Sequence, residues 1–529
     1  MKFKIKYMCL MCFCFFNIST LFSQSNRVYF PHTPNFHTGS APIGWTLANG
    51  AEWNIDGLQL TSNIKKQFGA AALDLASFDV THDITIQFDY SMIGPSNFND
   101  KGDGFSFFLY DGDKPLSIGG NGRGLGYTKG DTEVNGLDGA YLGIGFDVYG
   151  NFKENINNTL VGLPSSIFIN KSNTRERNKY KSHITLRGGT QKGNRSNDYL
   201  RNQHYPVLYT TSTINEITTA SISGLDLPNT YSILNQIDGN ISSNSISNRG
   251  GAGTPQLPSF NYFQLYTDNN NFNTVEITLK KSTNNLVGIL VSLKVIKDGI
   301  TYEILKDFEY RKSVVYKNQN QNQSTGSNVT LNATPPNRFK IGFAASTGDA
   351  YQRHLIKNVI ISLPHMHSTQ EDNIIICDVN KEVIIEPFKN DTFNRYLSSN
   401  NTTIVANSTG DPEFVDYGSF IFTKENGTII SQFTTSSSSY NSNIITHDVT
   451  NQGSWVYNKN TGKVTFKPVL GFYGTAEIYY TVKGFGLGDS PFAHDNYRTR
   501  PTKISVKVNR CGAVSNPQLP SSGIIRSGK

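Results

Sequence analysis

The sequence predicts an all-β protein. Phe and Tyr are abundant, at 33 and 26 of 529 residues, and Asn, Ser, Thr and Gly fill the intervals between short apolar stretches. No long run of Leu, Ala, Glu and Lys repeats at the helical period. Short apolar runs bounded by Gly and Asp are typical of strands joined by polar turns. A chain of this length is too long for one hydrophobic core, so we expect two or three domains.

The first 24 residues have the pattern of a signal peptide. A charged start of alternating Lys is followed by an apolar run over residues 7–22, and Ser23 and Gln24 then offer a cleavage region. The run is too short and too polar for a stable membrane span, and no later apolar segment is long enough. We therefore expect a secreted protein or one on the outer cell surface. Three of the five cysteines, Cys9, Cys12 and Cys14, lie within this segment.

The charge pattern argues against nucleic acid as a partner. The formal net charge is +7, but Lys and Arg are scattered singly and form no basic helix or stripe. Such a distribution is typical of a solvated surface.

A first domain is predicted over residues 25–364. Its clearest strand signals are the strict alternation of apolar and polar residues over 84–90 and the near-continuous apolar runs at 105–110 and 141–146. Two stretches of weak periodicity, at about 190–260 and 310–335, are interpreted as insertions or large loops.

A second domain is predicted over residues 374–511, after a polar linker at 365–373 and before a disordered tail at 512–529. A hairpin turn at 460–462 joins two strands rich in aromatic residues, which favours a small sandwich. Cys377 and Cys511 flank the domain and are candidates for a disulfide in an exported protein. Closing so long a loop stabilises by about 4–5 kcal/mol in the chain-entropy picture.

The central stretch of the first domain carries the candidate site. Asp103 stands between two glycines just before the run at 105–110, and Asp147 directly follows the run at 141–146. Between them lies a glycine-rich loop, residues 119–127, whose backbone a ligand can approach closely. Sugar hydroxyls need an acceptor-only carboxylate, backbone donors and an apolar platform. The pattern therefore indicates a sugar-binding site at the rim of a sheet.

Four segments, in this order, resemble the L-type (legume-type) lectins found in bacterial surface proteins. They are residues 102–109, 119–127, 142–151, and 339–348 with 354–360. The resemblance covers most of residues 25–363 and implies a concanavalin-like jelly roll of two sheets with loops gathered at one rim. It also implies that the protein binds glycans or polysaccharide.

The resemblance assigns roles to individual residues. The carboxylate of Asp103, after a cis peptide bond, accepts from two sugar hydroxyls, and Gly102 eases that bond's sterics. Backbone N–H groups of the glycine loop and a side-chain amide donate to the sugar, and a variable wall selects it. The residues expected to bind carbohydrate are Asp103, Arg123, Gly124, Asn151, Gly348 and Asp349, with Tyr351 beside them.

A single calcium ion is the cofactor that the resemblance implies. The three expected ligands, at alternate positions of a tight loop, are Asp147, the carbonyl of Tyr149, and Asn151. Glu154 is the nearest candidate for a fourth. Plant members place the Glu for a second metal at a position that is Gly145 here, so we expect no second ion. His183 is not assigned to a metal.

The second domain is similar to the cadherin-like or immunoglobulin-like modules of bacterial surface adhesins, which suggests a spacer. Where such modules continue into an acidic calcium-binding turn, this chain has Lys483 and Gly484.

Two alternatives to a lectin stay open. One is a structural adhesin module whose sugar site has decayed, which the Gly at position 145 motivates. The other is a polysaccharide-degrading enzyme on the same fold, which needs two carboxyls about 5–9.5 Å apart. Asp111 and Asp113 have suitable spacing, but they lie in a turn. No nucleophile elbow or zinc-type His cluster is present in the sequence, so we expect a binding protein and no enzyme.

Overall fold

The architecture is that of a computed structural model. It describes residues 28–510 with gaps inside the ranges 80–82, 98–99, 131–135, 153–181, 191–204, 214–262, 268–270, 319–326, 364–366, 378–379, 397–411, 434–442 and 485–497. Within these ranges only four short strands are described, at 159–160, 236–237, 240–241 and 404–407. The described residues contain many strands and no α-helix. The predicted signal peptide and the predicted disordered tail lie outside the described residues.

Residues 28–363 form a two-sheet sandwich, which confirms the predicted all-β fold. The strands are β1 (Trp45–Asn49), β2 (Glu52–Asn54), β3 (Gly57–Thr61), β4 (Phe68–Asp79), β5 (Ile84–Ile93), β6 (Gly104–Asp111), β7 (Ala140–Asp147), β8 (Thr159–Leu160), β9 (His183–Gly188), β10 (Val207–Ser212), β11 (Gln236–Ile237), β12 (Asn240–Ile241), β13 (Asn273–Lys280), β14 (Val287–Lys297), β15 (Ile300–Arg311), β16 (Ser313–Asn318), β17 (Ser327–Asn332), β18 (Arg338–Ser346) and β19 (Arg353–Ser362).

The two large sheets differ in length. One has ten strands in the order β1-β4-β18-β6-β7-β9-β10-β8-β16-β17, and the other has seven in the order β15-β14-β13-β5-β19-β3-β2. The pair β11-β12 stands apart from both. Strands distant in sequence are neighbours in both sheets, as in a jelly roll.

The core lies between the two sheets. Phe88 of β5 is fully buried at its centre, and its ring contacts those of Phe105, Phe107, Phe146 and Phe343 from the opposite sheet. Every second residue of β5 from Ile84 to Phe88 is buried, as the period-two pattern predicted.

The central strands of the ten-stranded sheet are buried on both faces. All residues of β6 and β7 are buried. A second apolar cluster covers the outer face and includes Phe108 of β6, Tyr127 from the glycine loop and Phe152. The glycine loop therefore packs against the sheet, which explains why β6 and β7 read as continuous apolar runs instead of alternating ones.

Several segments differ from their predicted state. The predicted insertion at 190–260 contains β10, which pairs with β9, and the predicted insertion at 310–335 contains the hairpin of β16 and β17 at the edge of the ten-stranded sheet. Polar residues at these sheet edges weakened the apolar periodicity. The turn at Asp298 and Gly299 is a hairpin turn as predicted, with φ of 50° and 75°.

A second, smaller sandwich follows. Its strands are β20 (Asp372–Ile376), β21 (Val383–Ile385), β22 (Phe393–Tyr396), β23 (Ile404–Asn407), β24 (Val415–Thr423), β25 (Ile429–Gln432), β26 (Ile444–Val449), β27 (Gly453–Asn458), β28 (Lys463–Pro468), β29 (Gly474–Gly484) and β30 (Thr502–Val508). A five-stranded sheet, β20-β30-β29-β24-β25, and a four-stranded sheet, β21-β28-β27-β26, enclose the core.

Aromatic residues fill this second core. The Phe420 and Tyr457 rings stack with centroids 3.7 Å apart, and the ring of Tyr480 stacks on the other side of Phe420. Trp455 is fully buried against Phe466. These residues come from both sheets and include the aromatic pairs that the sequence placed on the strands around the turn at 460–462.

The start of the second sandwich falls inside the segment predicted as a linker. Ser368 forms a β-bridge with Thr392, and β20 begins at Asp372. β20 runs parallel to the last strand, with Ile376 opposite Val508. Cys377 follows β20, is exposed and is bonded to no described residue. Cys511 lies outside the described residues, so the predicted disulfide stays a prediction.

Two carboxyls in the second sandwich predict an unusual pH response. Burial, and then the negative charge of Asp391, raise the pKa of Asp372 to about 7. Burial also raises the pKa of Asp391 to about 7, against the opposing effect of the Gln370 N–H and the Tyr480 hydroxyl, which bond to it. Both pKa values lie above the ordinary value of 3.8. The contribution of the two carboxyls to the stability of the fold is therefore complete below pH 3.8 and is lost as pH rises through 7.

We therefore expect the free energy of unfolding of the second sandwich to fall between about pH 4 and pH 7. Asp391→Asn should flatten this dependence, as measured by calorimetry at several pH values. Glu382→Gln, at an exposed carboxyl just before β21 that pairs with Lys467, is the control. An unchanged pH dependence in Asp391→Asn would contradict the assignment.

Candidate carbohydrate site at the sheet rim

The order of four strands creates the rim. β18, β6, β7 and β9 are adjacent and antiparallel, so the end of β18, the start of β6, the end of β7 and the start of β9 meet at one edge. Ser346 pairs with Gly104, Gly104 with Asp147, and Asp147 with His183. Segments separated by more than 200 positions therefore adjoin at the two carboxylates that the sequence singled out.

The backbone of Asp103 is held on both sides. The Gly102–Asp103 peptide bond is cis, as the resemblance implied. The Asp103 N–H donates to the Ser346 carbonyl (3.2 Å), and the Asp103 carbonyl accepts from the N–H groups of Val148 (2.9 Å) and Tyr149 (3.2 Å). The loop after β7 thus fixes the segment before β6 directly.

A side chain would not fit at either of the two glycines that flank Asp103. A Cβ on Gly104, which has φ of +154°, would lie 2.2 Å from the Phe146 carbonyl oxygen. A Cβ on Gly102 would lie 2.9 Å from the Ala350 Cβ. Side chains at either position would push apart the strands that bring the rim together.

The glycine loop closes one side of the Asp103 carboxylate. It forms a 3-10 turn at Gly122–Gly124, and the Ser346 hydroxyl donates to the Gly122 carbonyl (2.7 Å). A Cβ on Gly122 would lie 3.9 Å from the Asp103 Oδ2. The loop therefore lies beside the carboxylate, and Gly122 takes a left-handed φ of 53° there.

One predicted donor of this loop is already engaged. The Gly124 N–H donates to the Asn121 carbonyl (3.0 Å) within the 3-10 turn, and Gly124 is buried. The expectation that Gly124 offers a free N–H to a sugar is therefore corrected. Arg123 is half-buried on the same loop.

The turn after β18 closes the other side. The Gly348 N–H donates to the Ala350 carbonyl (2.9 Å), and a Cβ on Gly348 would lie 3.2 Å from the Asp103 Oδ2. Gly348 and Tyr351 are half-buried and Asp349 is exposed, whereas Asp103 is 4% exposed. The Asp103 carboxylate therefore lies between Gly122 and Gly348.

The structure adds a wall that the sequence did not reveal. Residues 62–67 dock on the Gly348 turn: the Lys66 N–H donates to the Gly348 carbonyl (3.1 Å), and the Gln67 N–H donates to the Thr347 hydroxyl (2.8 Å). The Lys65 Nζ lies 5.9 Å from the Tyr351 ring centroid. The contact between Gln67 and Thr347 joins positions 280 apart, so no local pattern announces it.

The loop after β7 is closed by its own aspartate. Asp147 is fully buried, and its Oδ1 and Oδ2 accept from the N–H groups of Gly150 (2.7 Å) and Phe152 (2.6 Å). Asn151 lies between these donors and is half-buried. Its Oδ1 is buried and accepts no hydrogen bond, and such an atom gains from a hydroxyl donor.

The described residues do not complete a calcium site. Calcium takes six to eight oxygens, and the described part of this loop offers three ligand groups: the Asp147 carboxylate, whose two oxygens each accept one N–H, the Tyr149 carbonyl and the Asn151 amide oxygen. Among the described residues, no group of three or more His, Cys, Asp and Glu is placed to hold a metal. The fourth ligand suggested by the sequence, Glu154, lies outside the described residues.

An aromatic ring packs against Gly145. A Cβ on Gly145 would lie 2.4 Å from the Phe152 ring. His183 is fully buried, and its Nδ1 is 3.4 Å from the Thr210 hydroxyl oxygen.

The two carboxyls considered for a glycosidase site, Asp111 and Asp113, lie away from the rim. Asp111 ends β6 at the edge opposite the rim, and Asp113 forms an ion pair with Arg338. These two carboxyls do not join Asp103 and Asp147.

Comparisons with known proteins give remote likenesses. No protein-family model matches the sequence, and no curated protein matches it. Similar solved structures include the exoplasmic/lumenal domain of VIP36 in a metal-free form, with 12% identity, 63% of this chain and 92% of that chain covered, and a TM-score of 0.31. Peanut lectin has 15% identity, coverages of 62% and 95%, and a TM-score of 0.31.

The Emp46p carbohydrate recognition domain, metal-free, has 13% identity, coverages of 63% and 96%, and a TM-score of 0.31. Likenesses this weak support no argument about activity. Within the described part of the chain, no helix is long and apolar enough to cross a membrane.

Proposed function

We propose that the first sandwich is a carbohydrate-binding domain that holds a glycan at the rim formed by β18, β6 and β7. The observation that carries this proposal is the placement of the Asp103 carboxylate between two bare backbone segments, Gly122 and Gly348, with hypothetical Cβ positions 3.9 and 3.2 Å from its Oδ2. A carboxylate that only accepts, in a cleft lined by main chain, suits a ligand that presents hydroxyl donors.

The neighbouring groups supply the rest of a sugar site. The Asn151 Oδ1 is a buried acceptor that lacks a donor, and Tyr351 lies beside the turn as an aromatic surface for a sugar face. Lys65 stands over that ring, and Arg123 lies on the opposite loop. Asp103, Asn151 and Tyr351 are therefore the proposed contact residues, with Arg123 and Asp349 on the variable walls.

The wider role follows from the sequence features. A signal peptide and a second sandwich suggest a secreted or surface-attached adhesin in which the second, immunoglobulin-like or cadherin-like module is a spacer. Calcium assistance is not part of this proposal, because the described residues supply fewer oxygens than the six to eight that calcium takes.

A decayed site is the second candidate, since Asp103 is only 4% exposed. A glycan array with the secreted chain separates the two. The proposal predicts binding to a restricted set of glycans, and absence of binding across a broad array supports a purely structural module.

Gly348→Val should remove glycan binding while the fold stays intact. The new side chain would stand against the Asp103 carboxylate and close the entry between the two loops. The same array and a thermal unfolding curve provide the measurement. Gly418→Val, at an exposed position of β24 where a Cβ would lie 3.2 Å from the Asp416 Oδ1, is the matched control in the second sandwich. Undiminished binding by Gly348→Val would place the sugar elsewhere.

A further inference from the structure

A buried cation lies behind the loop of residues 147–152. Arg187 on β9 is fully buried, although arginine is seldom buried unless its charge is balanced. β9 alternates: Ile184 and Leu186 enter the main core, and Arg187 points with Thr185 to the opposite face. On that face Arg187 sits across from Gly143 of β7.

The guanidinium binds the end of the loop. Its Nε and Nη2 both donate to the Phe152 carbonyl, at 3.2 and 2.7 Å, and its Nη1 donates to the Tyr205 carbonyl. Its central carbon lies 5.1 Å from the Phe152 ring centroid. One side chain thus fixes both the backbone and the ring of Phe152.

The charge also interacts with the acid that begins the loop. Burial lowers the pKa of Arg187 to about 9, and Tyr127, followed by the Asp147 carboxylate, acts against that lowering, so Arg187 is charged at neutral pH. Asp147 in turn accepts the N–H groups of Gly150 and Phe152. A positive charge, an acid and the main chain of the loop therefore form one connected unit, which is the function that a bound cation serves in other loops.

The unit reaches the proposed sugar site. The Val148 and Tyr149 N–H groups of the same loop bond to the Asp103 carbonyl, and Asn151 lies within the loop. The Phe152 ring occupies the space over Gly145. The Asp147 carboxylate and the Phe152 ring are thus both used in holding the loop.

We propose that Arg187, and not a bound calcium ion, holds the loop of residues 147–152 in place, so that glycan binding at the rim is independent of calcium. The calcium independence of glycan binding rests on the proposed function, whereas the role of Arg187 in holding the loop does not. Arg187 is a positioning residue, because it acts on the site through Phe152 and Asp147.

The first test needs no glycan. Chelator-treated wild-type protein is compared with and without millimolar calcium chloride by calorimetric titration, thermal unfolding and hydrogen exchange of the peptide covering residues 147–152. We expect no calcium binding, no shift in Tm and a protected loop in both samples. Calcium binding that raises Tm by several degrees, or loop protection that appears only with calcium, would overturn the proposal.

The second test uses Arg187→Gln and Arg187→Lys, with Val291→Ala as a control for general destabilisation in the other sheet. Arg187→Gln should lose exchange protection at residues 147–152 selectively, with Arg187→Lys retaining part of it. Glycan affinity of the folded protein should fall by about tenfold or more in Arg187→Gln, the usual cost of losing a group that orients binding residues.

Val291→Ala should lower Tm with loop protection and affinity unchanged. If Arg187→Gln only lowers Tm in the same way, Arg187 has a merely structural role and the proposal fails. If Arg187→Gln does not fold, the wild-type calcium comparison decides. A wild-type protein that binds no glycan but has a protected, calcium-indifferent loop refutes the proposed function and leaves the role of Arg187 standing.

Discussion

Asp103→Asn is expected to reduce glycan affinity by roughly 10- to 100-fold, because the one hydrogen bond to a charged acceptor that is lost is worth about 1.5–3 kcal/mol and each 1.4 kcal/mol is tenfold. The substitution keeps the volume of the side chain but replaces one acceptor oxygen by a donor. Two adjacent hydroxyls can no longer both donate to it. Calorimetric titration with a glycan selected on the array measures the loss.

Asp111→Asn is the matched control for this prediction. Asp111 ends the same strand, is 5% exposed and has its Oδ1 bonded to the Asp113 N–H (3.1 Å), but it lies at the edge opposite the rim. It should change stability without changing affinity. Equal affinity of wild type and Asp103→Asn, with both folded, would remove Asp103 from the site.

The second large effect is destabilisation of the first sandwich by acid. Burial lowers the pKa of His354 to about 3 from 6.5, and burial followed by the charge of Arg500 lowers the pKa of His32 to about 4. Because both folded-state pKa values are depressed, the neutral rings contribute stability that is present above pH 6.5 and lost as pH falls towards 4 and 3.

The structure gives the reason for each shift. His354 is fully buried, with its Nδ1 2.6 Å from the Thr61 hydroxyl and its Nε2 lacking a hydrogen-bond partner. The His32 Nε2 accepts from the Trp45 indole N–H (2.9 Å), a bond that a protonated ring cannot accept. Each histidine should therefore cost about 1.4 kcal/mol for every pH unit below its unfolded value until its folded pKa is reached.

Denaturant unfolding at a series of pH values between 7 and 4.5 tests this effect. His354→Leu removes one titrating group, so its free energy of unfolding should fall less steeply with acidification than that of wild type. His37→Leu, at an exposed position, should keep the wild-type slope. Parallel slopes for wild type and His354→Leu would contradict the assignment.

The sequence predicted the rim strands because their signals are local. Period-two alternation marked β5, and runs of Phe and Ile bounded by Gly and Asp marked β6 and β7. The Gly-Asp-Gly triplet at positions 102–104 was visible for the same reason, and at both of its glycines a Cβ would lie within 3 Å of another atom: the Ala350 Cβ for Gly102 and the Phe146 carbonyl oxygen for Gly104.

Other parts of the site could not be predicted from local patterns. The docking of residues 62–67 on the Gly348 turn depends on strands that the sheet topology brings together. β4 was missed because its run of alanines has low strand propensity. Arg187 left a weaker signal: a charged residue in a strand whose other face is apolar is normally exposed, and only the loop covering that face shows that it is buried.

The engaged Gly124 N–H shows a limit of a different kind. A run of glycines indicates that backbone is close to something, but it does not indicate which N–H groups the loop uses itself. In the 3-10 turn at Gly122–Gly124, the Gly124 N–H donates within the loop and is not available to a ligand. The Gly122 backbone still lies beside Asp103, where a ligand can approach it closely.

A crystal structure of the wild-type chain with the best-binding glycan from the array tests the central claim most directly. The account predicts a sugar between the glycine loop and the Gly348 turn, with two hydroxyls donating to the Asp103 carboxylate and a third contacting Asn151. A glycan bound on another face of the first sandwich, or on the second sandwich, would contradict it.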